Sequence, residues 1–267
     1  TMAEGEEEVV FTTSTGPVRV ITAASLFDGH DAAINVMRRL IQSSGAEVIH
    51  LGHDQSAKAV VDCAVQEDAH AVALTSYQGG HVEYFTYIRQ LLDEAGCEHV
   101  RIFGGGGGTI TPPEIRTLHQ SGISKIYSPD DGRTMGLMGM IHHLMGLASE
   151  VDLVGKERMA SLDGPVTPDD MAKVGLLLTL SESADERAFK AAVEACRSSD
   201  KDVPVIGFTG TGGAGKSSLL DELMLRIQRD NPGKKVCLLC VDPTRKRTGG
   251  ALLGDRIRMN SLSNNDL

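Results

Sequence analysis

The sequence lacks any apolar run long enough to cross a membrane. Its longest strongly apolar stretch lies near Val174 to Leu180, whereas a membrane-spanning helix needs about 20 consecutive apolar residues. The N-terminus also lacks the basic and apolar regions of a signal peptide, because Thr1 to Val9 is acidic. These absences argue against a membrane partner, and we expect residues 1–17 to form a disordered lead-in.

The chain is also poor in cysteine and has no excess of basic residues. Its five cysteines are an odd number without the spacing of a disulfide framework, which favours a reducing, cytoplasmic compartment. Cys237 and Cys240 lie inside an apolar run and are predicted to be buried strand thiols. The formal charge of −10 argues against a nucleic-acid partner. Phosphate ligands remain compatible with it, because a loop of backbone N–H groups binds them locally.

Apolar strands alternate with amphipathic helices between residues 18 and 147. The predicted strands are 18–24, 47–51, 71–75, 100–103 and 125–127, and the predicted helices are 31–44, 55–65, 82–95, 113–120 and 132–145. Five such repeats predict an α/β fold with a doubly wound parallel sheet of flavodoxin-like size. Residues 148–200 are predicted to form a helical linker, and residues 201–267 the first part of a second α/β domain.

Three of the predicted strands end in unusual segments. The first is followed by Asp28-Gly29-His30-Asp31, the third by Thr75-Ser76-Tyr77, and the fourth by Gly104-Gly105-Gly106. Ligands bind beyond the carboxyl ends of the strands in a doubly wound sheet, and a metal-ligating histidine usually donates its other ring N–H to a carboxylate. We therefore predict a ligand site at this edge. His81 either faces that ligand or is a solvated loop residue.

A second candidate site follows the predicted strand Val203 to Ile206. The motif G-x-x-x-x-G-K-[ST] occurs there between a predicted strand and a predicted helix, which is the context that a P-loop requires. Lys216 would act catalytically on the β- and γ-phosphates, and Ser217 would bind Mg²⁺. The remaining predicted phosphate-binding residues are Gly210, Gly212, Gly213, Ala214, Gly215 and Ser218.

The segment from Val18 to Met145 resembles the cobalamin-binding domain of acyl-CoA mutases and methionine synthase. That family carries D-x-H-x-x-G, S-x-L and G-G motifs, and its histidine replaces dimethylbenzimidazole as the lower cobalt ligand. Asp28 and His30 match the first motif, whereas Ala33 stands at its glycine. The segments Thr75-Ser76-Tyr77 and Gly104-Gly105 stand at the other two motifs. The resemblance implies that His30 ligates cobalt, that Asp28 bonds its far nitrogen, and that the three segments bind the cofactor.

The stretch from Val203 to Met259 is similar to the GTPases that chaperone methylmalonyl-CoA mutase. Those proteins carry V-D-P and G-G-x-x-L-G-D segments, which match this chain at Asp242 and Asp255. The resemblance implies that both aspartates approach Mg²⁺ and that the nucleotide is GTP. The segment 245–255 would then act as a nucleotide switch. The N-K-x-D loop that reads guanine lies outside these 267 residues, so we expect this to be a fragment of a longer protein.

The order of the segments resembles the fused isobutyryl-CoA mutases. In those proteins an acyl-CoA-binding barrel follows the GTPase. The resemblance implies an adenosylcobalamin-dependent radical interconversion of isobutyryl-CoA and n-butyryl-CoA, with GTP hydrolysis guarding cofactor loading. The acyl-CoA would bind a domain outside this chain, and we expect a homodimer. The alternatives are a nucleotide-regulated cobalamin carrier or sensor without mutase activity, and a P-loop kinase with a flavodoxin-like partner.

Overall fold

The secondary structure follows the predicted alternation of strands and helices. The computed structural model describes residues 11–167, 169–183, 185–197 and 203–240. Its strands are β1 (Thr12–Thr13), β2 (Gly16–Pro17), β3 (Arg19–Ser25), β4 (Glu47–Gln55), β5 (Ala71–Thr75), β6 (Arg101–Gly105) and β7 (Lys125–Tyr127). Its helices are α1 (Asp31–Ser43), α2 (Ala57–Gln66), α3 (His81–Glu94), α4 (Pro112–Gln120), α5 (Pro129–Ser149), α6 (Lys156–Ala160), α7 (Met171–Glu182), α8 (Glu186–Cys196) and α9 (Lys216–Asp230). Within the described residues, none of these helices has the length and apolar character to cross a bilayer. The chain divides into two compact units between residues 200 and 201.

A parallel sheet of order β4-β3-β5-β6-β7 forms the centre of the first unit. Successive residues of each strand point to opposite faces, so Val72 packs on one face and Ala73 on the other. Helices α2, α3 and α4 cover the first face, and α1 and α5 cover the second. This is the doubly wound flavodoxin-like arrangement, and the predicted fold class is confirmed. The carboxyl ends of β3, β5 and β6 lie next to one another at one edge.

Two expectations about the first unit need correction at its ends. Residues 11–17 are not a disordered lead-in, because β1 and β2 pair antiparallel and Phe11 packs on the face that α1 and α5 cover. Gly16 makes this turn possible with a φ of 113°, a value that residues with a side chain rarely adopt. Helix α5 begins earlier than predicted, because Ser128 caps it in a capping box and Pro129 occupies its first turn.

The predicted linker helices pack closely on the base of the sheet domain. Arg158 in α6 reaches the buried carboxylate of Asp68 at 2.5 Å. Arg19, the first residue of β3, bonds Glu182 in α7 at 3.2 Å. Helix α7 approaches α2 so closely at Gly175 that a Cβ there would lie 2.9 Å from the Val65 carbonyl oxygen. Charged pairs therefore attach the linker helices to the sheet domain, and the close approach of α7 to α2 needs glycine at position 175.

Substituting Gly175 by alanine is expected to lower the free energy of unfolding by about 1–2 kcal/mol. Alanine favours a helix over glycine by up to about 1 kcal/mol, but overpacking against backbone costs about 1–3 kcal/mol. The net effect on the free energy of unfolding is therefore destabilising. Gly146→Ala in α5 is the matched control, because a Cβ there meets no atom within 4 Å. It should leave stability unchanged or raise it. Urea unfolding of both variants checks this, and a stabilised Gly175→Ala would contradict the close approach.

The second unit contains one helix, α9, among residues 203–240. The strand predicted at 203–206 and the strand predicted to contain Cys237 and Cys240 are wrong for the described residues, which are not strands there. Val205 is 94% exposed and Leu239 85% exposed. The prediction that Cys237 and Cys240 are buried is also wrong, since both are exposed. A strand forms only through hydrogen bonds to a neighbouring strand, and residues 203–240 provide none.

Candidate functional site

The turn after β3 buries one carboxylate and exposes one imidazole. Asp28 is fully buried, whereas the His30 side chain is 64% exposed. Asp28 Oδ1 lies 2.8 Å from His30 Nδ1 and accepts the His30 backbone N–H at 3.0 Å. Asp28 Oδ2 accepts the Tyr77 backbone N–H at 2.6 Å. A carboxylate only accepts hydrogen bonds, so Nδ1 is the donor in this contact, and Nε2 is the ring nitrogen that Asp28 does not contact.

The protonation state of Asp28 follows from these contacts. Burial by itself would raise the pKa of Asp28, but the hydrogen bonds from Tyr77 and from His30 outweigh it and hold the pKa below its usual value. Asp28 is therefore ionised at neutral pH and fixes the imidazole orientation. Asp31 begins α1. A Cβ on Gly29 would meet no atom of a non-neighbouring residue within 4 Å, so the turn is open at Gly29.

The segment after β5 lies against this turn. The buried hydroxyls of Ser25 and Ser76 are hydrogen-bonded at 2.9 Å, and the Tyr77 ring stands 5.5 Å from the His30 ring between centroids. The Thr75 hydroxyl is buried and has no hydrogen-bond partner among the described residues. Ser25 was not among the site residues predicted from the sequence, although a hydroxyl at the end of an otherwise apolar strand could have indicated it.

The glycines that end β6 and the glycine that follows it serve different purposes. A Cβ on Gly104 would lie 2.5 Å from the Phe85 ring, and one on Gly106 would lie 1.9 Å from the Ser76 carbonyl oxygen. Gly105 accepts the Ser76 backbone N–H at 2.9 Å, and its own Cβ would make only an ordinary contact. Core packing thus requires glycine at position 104. Gly106 allows the segment after β6 to touch the segment after β5.

His81, whose role the sequence left open, is the buried first residue of α3. Its Nε2 lies 3.3 Å from the Glu114 carboxylate, and its Nδ1 lies 3.2 Å from the Gln78 carbonyl oxygen. It is therefore not a solvated loop residue. The first contact ties it to α4 and the second to the segment after β5.

A cleft of about 260 Å³ opens beside the rim, the edge of the sheet formed by the carboxyl ends of β3, β5 and β6 and the segments that follow them. The cleft lies between α1, α5 and the ends of β5 and β6. The sequence missed most of its lining, which is largely apolar and includes Ala33, Ile34, Met37, Phe103, Tyr127, Gly132, Ile141 and Leu144. Thr75, whose hydroxyl has no hydrogen-bond partner in the described part of the chain, also lines it. Helix α5 departs from helical geometry at Gly136, with φ 67° and ψ 174°. The glycines in the sequence of α5 could have indicated this irregularity in the helix beside the cleft.

The rim and the cleft fit a corrinoid. His30 presents a nitrogen whose orientation is held from behind, which is how proteins prepare an imidazole for a metal. The glycines at the end of β6 and after it carry no side chains that would obstruct a broad macrocycle. The largely apolar cleft, with the Thr75 hydroxyl in its lining, admits a flat apolar group that carries a polar atom.

Substituting Gly106 by alanine is expected to cost about 3 kcal/mol of stability, at the upper end for overpacking. The added Cβ would meet the Ser76 backbone oxygen, which cannot move without displacing the segment after β5. Gly108→Ala is the matched control in the same run, because a Cβ there meets nothing within 4 Å. Thermal unfolding compares the two, and equal midpoints would show that the loops do not touch in solution.

The second candidate site has the backbone geometry of a phosphate-binding loop. Gly213 and Gly215 have φ values of 78° and 82°, which favour glycine. Lys216 begins α9, and its Nζ bonds the carbonyl oxygens of Gly210 and Thr211 at 2.9 and 3.0 Å. Ser217 and Ser218 follow in the first turn, where the helix dipole favours anions. The remaining predicted loop positions, Gly212 and Ala214, are exposed. Asp242, Asp255 and the predicted switch segment 245–255 lie outside the described residues.

Two protein families match different parts of the chain. Residues 18–128 match the B12 binding domain, and residues 174–266 match the methylmalonyl-CoA mutase-associated GTPase MeaB. The fused isobutyryl-CoA mutase of Geobacillus kaustophilus (strain HTA426) is 51% identical over 253 residues, covering 92% of this chain and 23% of that protein. That of Nocardia farcinica (strain IFM 10152) is 54% identical over 247 residues, with the same two coverages. The 2-hydroxyisobutanoyl-CoA mutase small subunit of Aquincola tertiaricarbonis is 33% identical over 115 residues, covering 43% of this chain and 82% of that subunit.

The fold and the family matches define the class of protein: a cobalamin-binding domain joined to a mutase-associated GTPase segment. The two resemblances found in the sequence are confirmed. The chain belongs to the fused isobutyryl-CoA mutase family. It spans about a quarter of the length of the fused relatives that it matches.

Proposed function

We propose that the protein containing this chain interconverts isobutyryl-CoA and n-butyryl-CoA with adenosylcobalamin, and that its GTPase guards cofactor loading. The observation that carries this is the buried Asp28 carboxylate behind the exposed His30 imidazole, at the edge of a sheet in a B12 binding domain. The fused relatives are named as isobutyryl-CoA mutases.

This chain would bind and orient the cofactor. His30 Nε2 would ligate cobalt from below, with Asp28 holding the ring. The cleft and the Thr75 hydroxyl would take the nucleotide base that His30 displaces. Adenosylcobalamin, when bound, supplies the radical chemistry. Gly29, Asp31, Ser76, Tyr77 and Gly104–Gly106 would form the surface on which the cofactor rests.

The P-loop would bind GTP with Mg²⁺. Backbone N–H groups from Gly210 to Ser218 would surround the phosphates, Lys216 would reach the β- and γ-oxygens, and Ser217 would bind the cation. Asp242 and Asp255 would complete the Mg²⁺ site, which needs near-octahedral oxygen ligands. The acyl-CoA would bind residues outside this chain, and the protein would act as a homodimer.

The reaction is tested by incubating the full-length protein and adenosylcobalamin with isobutyryl-CoA, n-butyryl-CoA or 2-hydroxyisobutyryl-CoA. We expect the first two to interconvert much faster than the third rearranges. If 2-hydroxyisobutyryl-CoA rearranges fastest, the substrate is instead the one for which the small-subunit relative is named. Tight cobalamin binding without any rearrangement would favour the alternative function of a cobalamin carrier or sensor.

Nucleotide state would reach the cofactor through α7. The GTPase family match begins at residue 174, inside a helix that packs on α2 and bonds Arg19 through Glu182. Arg19 begins β3, whose other end carries the Asp28 turn. Coupling requires that the two nucleotide states differ in such contacts.

Cobalamin affinity is therefore expected to differ between GDP and a non-hydrolysable GTP analogue, by about 5-fold or more. The variant Glu182→Gln, which weakens the bond to Arg19, should reduce that difference. Lys190→Gln is the control, because its partner Glu186 lies in α8 and both side chains are exposed. Equal affinities in the two nucleotide states would contradict the coupling.

A further inference from the structure

Two residues with side chains adopt a left-handed backbone conformation beside the His30 turn. Phe27 has a φ of 63° and Asp54 a φ of 57°. For a bulky residue such as phenylalanine this conformation is an outlier, and such outliers cluster where ligands are bound. Asp54 lies near the end of β4, where the pairing with β3 is irregular. Irregularities of this kind re-aim residues next to active sites.

Asp54 braces the turn at two points. Its Oδ1 accepts the Phe27 backbone N–H at 2.6 Å, and its own backbone N–H donates to the Asp28 carbonyl oxygen at 3.3 Å. One residue therefore holds the Phe27–Asp28 segment at both ends, through the N–H of Phe27 and the C=O of Asp28. The Asp28 carboxylate is held separately, by Tyr77 and His30.

Local packing does not account for the conformation of Phe27. Its side chain is 79% exposed, so the left-handed turn gains no buried apolar area. The turn does direct the next side chain, Asp28, into the protein, where it meets His30 Nδ1. The turn is closed by the Asp28 backbone N–H, which donates to the Ser25 carbonyl oxygen at 3.0 Å, and Asp54 is bonded to the same turn from β4.

We propose that Asp54 is a positioning residue for cobalamin: by holding Phe27 in the left-handed conformation it sets the orientation in which His30 meets the cobalt. This inference rests on the proposed role of His30 as the lower ligand. It adds a second carboxylate, on a different strand, to the one that touches the imidazole.

The test separates the hydrogen bond of Asp54 from its backbone conformation. Asp54→Asn keeps an acceptor and tolerates positive φ, Asp54→Gly keeps only the conformational freedom, and Asp54→Ala keeps neither. The full-length variants are titrated with adenosylcobalamin, and the absorption spectrum of the bound cofactor reports imidazole ligation. We expect Asp54→Gly and Asp54→Ala to lose about 10-fold in affinity, the lower end for losing a residue that orients a metal ligand. Their spectra should shift toward that of cobalamin without an imidazole ligand, while Asp54→Asn stays near wild type.

A double-mutant cycle adds the decisive comparison. Glycine at position 27 adopts the left-handed conformation without strain, so Asp54→Gly should cost at most about 3-fold in a Phe27→Gly background. Asp62→Ala, an exposed aspartate on α2, is the control and should bind as wild type does. The proposal is overturned by wild-type spectra for Asp54→Gly and Asp54→Ala, or by equal costs in both backgrounds. If the wild-type protein itself shows no imidazole ligation, the proposed function fails instead.

Discussion

Replacing His30 by alanine is expected to remove imidazole ligation and to lower cobalamin affinity by about 100-fold, the upper end for damage to a metal site. The His30 side chain is 64% exposed, so its loss leaves no buried cavity and folding should survive. Asp28 would keep the backbone N–H groups of Tyr77 and of residue 30 as donors. The absorption spectrum of bound adenosylcobalamin and the unfolding midpoint measure the two effects separately.

His53→Ala is the matched control, because His53 is an exposed histidine just before Asp54 in β4. It should change neither measurement. Asp28→Ala provides a contrast, since it leaves the partly buried backbone N–H groups of Tyr77 and His30 without their acceptor, at about 1 kcal/mol or more each. It should lower both affinity and stability. A wild-type spectrum for His30→Ala would end the assignment of His30 as the lower ligand.

Replacing Lys216 by alanine is expected to slow GTP hydrolysis by about 100- to 1,000-fold, the loss that follows removal of a charge-stabilising donor. The ammonium group already lies inside the loop, bonded to the carbonyl oxygens of Gly210 and Thr211. A triphosphate there would offer it charged oxygens, and charge-assisted hydrogen bonds are stronger than bonds to neutral carbonyls. Single-turnover hydrolysis with saturating GTP and Mg²⁺ measures the loss.

Lys234→Ala is the control, since Lys234 follows α9 and stands outside the loop. It should hydrolyse GTP at the wild-type rate. Lys216→Arg should not restore activity, because guanidinium is broader and planar and would not fit the space of an ammonium ion. Wild-type hydrolysis by Lys216→Ala would show that the motif is not a working P-loop.

Local patterns in the sequence were sufficient for the sheet domain and for the two motifs. Strands β5 and β7 have the predicted bounds, because apolar runs between turn residues are read from neighbours along the chain. The Asp28-Gly29-His30 triplet and the P-loop were found for the same reason, as each concentrates its chemistry in a few consecutive residues. The predicted strand at 203–206 was wrong for the described residues, since strand pairing depends on partners far away in sequence.

The sequence by itself determined the doubly wound fold, the histidine–aspartate pair and the phosphate-binding loop, because periodicity and motif spacing are local properties. Only the tertiary structure brought Ser25 to Ser76, and Asp54 to the backbone N–H of Phe27. It also formed the cleft between α1 and α5. These features depend on strand order and on backbone conformation at single residues. Contacts across 27 to 51 positions of sequence leave no local pattern from which to predict them.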